Sequence, residues 1–250
     1  RLLGAVEAWS GERQLDLGPR QQRRLLAVLA LKVNQLVTVD RLVDLTWPES
    51  PPQTARHAIH VHVSHLRAVL ATVSAGPDGA EITTRGSAYA LRADPMCVDV
   101  HHFRALITRG FAASDEVEKG SLLRRALDMW QGPPLADVAT PGTDQLCRGL
   151  EEARLAALEE WLDTELRRGR HSTIIDELTE FTVQYPFRHR LLAQLMLALY
   201  RAGRAPDALD AYRVSRNRLV DEFGLDPGPR IQELESAILR ADPALELPED

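Results

Sequence analysis

Residues 53–70 read Q-T-A-R-H-A-I-H-V-H-V-S-H-L-R-A-V-L, and this stretch decides the fold. At 3.6 residues per turn, five apolar residues in it fall within about 40° of the centre of one stripe. They are Ala55, Ile59, Val63, Leu66 and Leu70. The spacing predicts an amphipathic helix of about 18 residues, roughly 27 Å long, that buries this stripe in a core.

The opposite face of the predicted helix contains no acidic residue. It carries Thr54, His57, Val61, Ser64, His65 and Ala68, with Arg56, His60 and Arg67 on its flanks. A solvated helix face normally mixes both signs of charge, so a face of hydrogen-bonding, small apolar and cationic groups suits an anionic surface. The groove of duplex DNA is such a surface. An acidic protein partner is an alternative that this helix alone leaves open.

Four histidines in the same stretch raise a metal site as another alternative. His57 and His60 are spaced i, i+3, and so are His62 and His65. No Cys lies nearby, and zinc motifs of high specificity pair two ligand clusters across a turn. We predict no metal site. We also predict no catalytic residue and no cofactor, because the chain has no phosphate-binding Gly-rich loop, nucleophile elbow or paired metal ligands.

Composition and charge limit the class of protein. The chain has 250 residues, of which 44% are hydrophobic and 26% charged, enough for two globular domains. Its longest apolar run, near Leu25–Leu31, is too short to cross a bilayer, and the N-terminus lacks the layout of a secretory signal. Two cysteines without local partners fit a reducing compartment. These features predict a cytoplasmic protein with no membrane partner.

The two predicted domains differ in charge. Residues 1–94 carry 11 Lys and Arg against 9 Asp and Glu, whereas residues 95–250 carry 19 against 27. The mild cationic excess of the first part fits a surface that faces nucleic acid. The acidic second part does not suit DNA, so we expect it to bind a protein.

Residues 1–94 predict a winged helix-turn-helix. A small β-hairpin or meander over 1–17 precedes a helix over Arg20–Lys32 and a second helix that Thr38 caps. After the helix over 53–70, a polar segment with Gly76-Pro77-Asp78-Gly79 leads to a hairpin with Arg85-Gly86-Ser87 at its tip. In such a domain the third helix enters the major groove and the wing reaches the neighbouring backbone or minor groove. Arg24, Lys32 and Arg85 are candidate phosphate or groove contacts.

Residues 95–250 are predicted to be helical almost throughout. Two segments, from Leu166 and from Leu199, resemble each other. The spacing of their glycines, Gly169 and Gly203, matches the period of tetratricopeptide repeats, in which paired helices stack. Leu195, Leu199, Ala208 and Tyr212 are then predicted packing residues. Asp99, His101 and His102, near the domain junction, are predicted to be structural.

Several ordered motifs together resemble one known family. They are L-G-P-R-Q-Q-R-R-L-L-A-V-L-A-L, V-D-R-L-V-D-L-T-W-P, A-R-H-A-I-H-V-H-V-S-H-L-R-A-V-L, T-R-G-S-A-Y-A-L, Y-R-A-G-R-A-P-D-A-L-D-A-Y and L-D-P-G-P. Nearly the whole chain is similar to the Streptomyces antibiotic regulatory proteins, the SARP family, and most to the N-terminal part of its larger members. The resemblance implies a mainly α fold with small β elements. An OmpR-like winged helix would be followed by a tetratricopeptide-like bacterial transcriptional activation domain.

The resemblance also implies a function. Family members activate genes of secondary metabolism, including antibiotic biosynthesis, or of the cell envelope. They bind direct repeats upstream of promoters as side-by-side copies, a dimer on DNA, and recruit RNA polymerase through its sigma factor. A protein-binding adaptor without DNA binding, and a repressor that uses the same DNA-binding domain, are the alternatives.

The resemblance assigns roles to residues of the third helix. Val61, His65 and Arg67 fall where base-edge contacts are made, with Thr54, Arg56 and His57 near the phosphates and Ser64 on the same face. His65 stands where many members have arginine. Arginine binds guanine through two hydrogen bonds, whereas neutral histidine offers one donor and one acceptor, so the preferred DNA sequence is expected to differ from that of relatives.

Overall fold

The computed structural model describes residues 1–72 and 79–247 and is mostly helical. The predicted polar segment around Gly76–Asp78 lies outside these residues. Contacts divide the chain into two compact units, Arg1–Ala112 with Leu122–Ala157 and Ala113–Ser121 with Leu158–Asp250. Within the described ranges, no helix combines the length and the apolar character that crossing a bilayer requires.

The first compact unit extends beyond the boundary predicted after residue 94. Two carboxylates of the later segments bind the N-terminal backbone. Asp99 Oδ2 accepts hydrogen bonds from the amides of Leu2 and Leu3, at 2.6 and 2.9 Å. Asp137 Oδ1 accepts one from the amide of Val6 at 2.9 Å. The structural role predicted for Asp99 agrees with these bonds, which explain why the N-terminal segment clusters with residues far along the chain.

Within residues 1–72 and 79–94, three α-helices and five short strands form the N-terminal part of this unit. The helices are α1 (Arg20–Leu31), α2 (Val39–Thr46) and α3 (Ala55–Ala71). The strands are β1 (Trp9–Ser10), β2 (Arg13–Gln14), β3 (Val37–Thr38), β4 (Glu81–Arg85) and β5 (Ala88–Arg92). The predicted N-terminal hairpin is confirmed as the antiparallel pair β1 and β2. The Thr38 cap is also confirmed, since its side chain accepts a hydrogen bond from the amide of Arg41.

Helix α3 packs against α1, α2 and β4. All five residues of its predicted apolar stripe are buried, and Ile59 and Leu66 are completely inaccessible to solvent. Burying a Leu or Ile side chain contributes about 1.5–3 kcal/mol, so this stripe fixes the orientation of the helix. Its opposite face is therefore directed outward.

The wing is the predicted hairpin, with one further strand. Strands β4 and β5 are antiparallel, with Thr84 opposite Tyr89 and Arg85 opposite Ala88. Gly86 has φ 58° at the first position of the two-residue turn, a conformation that glycine adopts without steric cost. Strand β3 pairs with the other edge of β5, giving the strand order β3-β5-β4.

In the part of the chain that the structure describes, seven further α-helices follow the wing. They are α4 (Asp99–Ala112), α5 (Glu116–Leu127), α6 (Asp144–Arg167), α7 (His171–Gln184), α8 (His189–Arg201), α9 (Ala205–Phe223) and α10 (Pro229–Leu239). Helix α8 packs against α7 and α9. The predicted repeat is confirmed by the helix boundaries. The end of α8 follows the end of α6 by the same number of residues as the start of α9 follows the start of α7, and this number equals the spacing of Gly169 and Gly203. The predicted packing residues Leu195, Leu199, Ala208 and Tyr212 are all buried.

Candidate nucleic-acid interface

The outward face of α3 is exposed along its whole length. The exposed positions are Thr54, just before the helix, and Arg56, His57, His60, Val61, Ser64, His65, Arg67 and Ala68. Val61 is 37% exposed although it is apolar. The residues from Gln53 to Thr72 include no Asp or Glu, so the face combines hydrogen-bonding, small apolar and cationic groups. Such a face can contact base edges and phosphates together.

Arg85 adds a cation at the tip of the wing. It is the last residue of β4, directly before the turn, and it is exposed. Among the described residues, its guanidinium has no ion-pair or hydrogen-bond partner. It is therefore available to an external anion.

Arg56 is exposed but already has an acidic neighbour. Its guanidinium forms an ion pair with Asp40 in the first turn of α2, and the two side chains are 70% and 66% exposed. Exposed pairs of this kind contribute about 0–1 kcal/mol. A phosphate can therefore replace Asp40 at little cost.

The structure contradicts the predicted phosphate contact of Arg24. This residue is only 8% exposed, and its guanidinium donates to two backbone carbonyls, those of Val138, at 2.9 Å, and Thr46. Burial, with a smaller effect of Arg20, lowers the pKa of Arg24. Arg24 is thus a structural residue that satisfies buried carbonyls. Lys32, by contrast, is exposed at the C-terminal end of α1 and stays a candidate.

Arg67 is exposed, but its guanidinium is bound within the protein. Its Nε donates to the carbonyl of Ile82 at 2.7 Å, and its Nη2 donates to the hydroxyl of Thr84 at 2.6 Å. Both partners belong to β4. The residue predicted to contact base edges therefore joins the third helix to the wing.

Sequence reasoning missed one pair in this region. His60 Nδ1 lies 2.6 Å from the hydroxyl of Tyr89, and the two rings meet edge to face with centroids 6.0 Å apart. The available signal was the spacing of His60 and Arg67, which are seven residues apart and hence on one side of the helix. Only the tertiary structure brings both to the wing.

His62 is directed towards the protein rather than towards the exposed face. It is partly buried, and its Nδ1 is buried without a hydrogen-bond partner among the described residues. Burial, together with His65, lowers the pKa of His62 below its usual value of about 6.5. In residues 1–72 and 79–247, no three His, Cys, Asp or Glu side chains converge to hold a metal ion.

Comparison with known proteins gives this arrangement a family. Residues 12–91 match the family described as transcriptional regulatory protein, C terminal. Residues 98–239 match the family described as bacterial transcriptional activator domain. Over 253 residues the chain is 36% identical to the regulatory protein DnrI of Streptomyces peucetius, covering 98% of this chain and 93% of DnrI. The chain belongs to the SARP family of transcriptional regulators.

Larger SARP proteins contain a region similar to this chain as one part of their length. The regulatory protein AfsR of Streptomyces coelicolor is 40% identical over 248 residues, which cover 98% of this chain but 24% of AfsR. The chain thus spans about a quarter of the length of the AfsR relatives. A solved structure of Mycobacterium tuberculosis EmbR, in complex with a low affinity phosphopeptide, has a TM-score of 0.88 and 32% identity. This structural likeness covers all of this chain and 65% of the EmbR chain.

Proposed function

We propose that this chain is a sequence-specific, double-stranded DNA-binding activator of transcription. Two copies would bind direct repeats upstream of a promoter side by side and recruit the RNA polymerase holoenzyme through its sigma factor. The regulated genes would be those of antibiotic or other secondary metabolism, and the protein would act at the nucleoid in the bacterial cytoplasm. The observation that carries this proposal is the exposed, acid-free face of α3.

The dimensions and chemistry of α3 support insertion into the major groove. Seventeen residues make a rod about 26 Å long, which the major groove admits. Val61, Ser64 and His65 lie at the middle of the exposed face and are the proposed base contacts. Val61 supplies an apolar surface for a thymine methyl group, while Ser64 and His65 supply hydrogen-bonding groups.

The proposed phosphate contacts lie around this centre. Thr54, Arg56 and His57 stand at the start of α3, Arg85 stands on the wing, and Lys32 directly follows the last residue of α1. These residues would supply affinity that depends on salt but carries no sequence information. Phosphate contacts of this kind would fix the register of α3 on the duplex.

The acidic, tetratricopeptide-like helices support a protein partner for the second unit. Their own charges are partly paired, because Arg190 at the start of α8 lies within ion-pair distance of Glu159, Glu160 and Asp163 on α6. The net excess of acid repels DNA, so these helices are suited to contact the transcription machinery. A bacterial RNA polymerase holoenzyme is the partner proposed here.

Selection followed by transcription tests this function. The protein would first be used to enrich duplexes from a random 30-base-pair library, and the enriched sequence is expected to contain a direct repeat. Run-off transcription with purified holoenzyme is then expected to give more product only on templates that carry this repeat. A reduced product would identify a repressor, and failure to enrich any duplex would contradict DNA binding.

A protein-binding adaptor is the second candidate, and the repeated helix pairs of α6–α9 favour it. An adaptor would need no exposed cationic face on α3. It predicts that the double variant H65A/R85A leaves regulation unchanged in a reporter strain. The activator predicts that the same variant loses both enriched-duplex binding and reporter expression.

A further inference from the structure

A single side chain ties the third helix to the wing. Arg67 donates two hydrogen bonds to β4, from Nε to the Ile82 carbonyl and from Nη2 to the Thr84 hydroxyl. Hydrogen bonds that involve a charged group are roughly twice as strong as neutral ones. The contact therefore reaches two positions of β4 and resists rotation of the strand.

Tyr89 provides a second attachment point on β5. The residue is only 6% exposed, and it stands opposite Thr84 in the register of the hairpin. The Arg67 guanidinium carbon lies 5.7 Å from the centroid of its ring, within the range of a cation–π contact. His60, two helical turns before Arg67, is hydrogen-bonded to its hydroxyl. Both strands of the wing are thus attached to one side of α3.

We propose that Arg67 and His60 clamp the wing on α3 and thereby set the position of Arg85. This inference rests on the proposed function, in which α3 and the wing bind one duplex. Arg67 then acts as a positioning residue, and other side chains of α3 contact the DNA bases. The buried side chains of Ile82 and Leu91 already pack the wing on the core, whereas Thr84 and Arg85, near its tip, are exposed. The clamp would therefore fix how the tip is oriented relative to α3.

The position of Arg85 depends on the clamp for a geometric reason. Arg85 follows Thr84 directly and lies three residues, about 10 Å, beyond Ile82 along β4. A change in the tilt of β4 at the clamp is therefore carried to the tip of the wing. Without the clamp, Arg85 would have to be ordered during binding, and part of its contribution to affinity would be lost.

Hydrogen exchange of the free protein tests the clamp without DNA. In Arg67→Ala, the amides of β4 and β5 are expected to exchange about tenfold faster or more, because two charge-assisted hydrogen bonds are lost. Arg104→Ala removes an exposed cation from α4 and is the matched control, with unchanged exchange expected in the wing. Unchanged exchange in the wing of Arg67→Ala would overturn the proposal.

A double-variant cycle tests the link to Arg85. The probe is the duplex that the wild-type protein enriches, and its Kd is measured by fluorescence anisotropy for the wild type, R67A, R85A and R67A/R85A. We expect R85A to weaken binding about tenfold in the wild type but less than about threefold in R67A, because the clamp is then already lost. Equal fold-losses in both backgrounds would overturn the proposal. So would a repeated selection in which R67A changes the preference at one base pair while Arg85 keeps its full effect.

Thr84→Val provides a milder variant with Arg67 intact. It removes the hydroxyl acceptor while keeping the shape of the side chain, and it is expected to change wing exchange and the Arg85 effect in the same direction as R67A. If Thr84→Val leaves both the exchange of the wing amides and the effect of R85A on the Kd unchanged, the clamp proposal is contradicted. If the wild type enriches no duplex, the proposed function fails, whereas the exchange experiment still decides whether the clamp holds the wing.

Discussion

Gly169 and Gly203 stand at equivalent positions of the two repeats and have the same left-handed conformation, with φ of 73° and 74°. Each follows the end of a helix, α6 or α8. In both turns the amide of the next residue, Arg170 or Arg204, donates to the carbonyl five residues before it, at 2.9 Å. The same helix end is thus built twice, one period apart.

Gly203→Ala is expected to lower the free energy of unfolding by about 1 kcal/mol. The added Cβ meets no atom within 4 Å, so the cost comes only from the left-handed backbone. Gly169→Ala is expected to cost more, because its Cβ would lie 3.0 Å from Leu247 Cδ1. Urea denaturation followed by circular dichroism measures both effects.

Gly149→Ala is the control for these two variants. Gly149 lies inside α6, where its added Cβ also meets nothing within 4 Å, and its φ is ordinary. Alanine is favoured over glycine in a helix by about 0.5–1 kcal/mol, so this variant is expected to stabilise the protein. A stabilising Gly203→Ala would refute the assignment of the turn.

Arg24→Met and Arg85→Ala are expected to have opposite effects. Arg24→Met leaves the carbonyls of Thr46 and Val138 without their donor and should cost about 2 kcal/mol or more of stability. Its folded fraction should keep the wild-type salt dependence of DNA binding. Arg85→Ala should leave stability within about 0.5 kcal/mol but reduce the slope of log K against log salt by about one. Anisotropy titrations at several salt concentrations, with urea melts, distinguish the two.

His62→Gln is expected to reduce the loss of stability at acid pH. Since burial lowers the pKa of His62 in the folded state, the unfolded chain binds this proton more readily as the pH falls below about 6.5. Stability is therefore lost from about pH 6.5 downwards, until the folded state also takes up the proton. Urea midpoints at pH 7.5 and 5.5 should differ more in the wild type than in the variant. Equal differences would contradict this role, since the other histidines are present in both proteins.

His65→Arg is expected to change the selected DNA sequence at one position of each repeat. Arginine can donate two hydrogen bonds to guanine, and a good pair of this kind contributes about 1–3 kcal/mol of discrimination. Repeated selection should enrich guanine where the wild type shows a weaker preference. His65→Ala, the control, should relax the preference at the same position without a new one. An unchanged sequence in both variants would exclude His65 as a base contact.

The elements that depend on local patterns were predictable from the sequence. The apolar stripe of α3 from Ala55 to Leu70 is buried as its spacing predicts, because a 3.6-residue period leaves one solution for the buried face. The cap at Thr38, the turn at Gly86 and the repeat glycines also follow from local chemistry. The fold class is confirmed by the family matches and by the likeness to EmbR.

The features that depend on distant contacts were not predictable. The sequence pattern predicts Arg24 to be a surface cation at the start of a helix. Only the folded structure brings the carbonyls of Thr46 and Val138 to its guanidinium, in a buried position. Arg67 reads as a groove contact because its bonds to Ile82 and Thr84 join segments that the sequence places in separate elements. Strand β3 has two residues, too few to show an alternating pattern.

The carboxylates of Asp99 and Asp137 determine where a stable N-terminal fragment of this protein can end. A fragment that stops at residue 94 would leave the amides of Leu2, Leu3 and Val6 without their acceptors, although it keeps every helix and strand of the winged fold. A longer fragment that retains both carboxylates keeps the N-terminal segment from Leu2 to Val6 anchored. Truncations chosen from motif boundaries alone would therefore underestimate the stability of the winged-helix part.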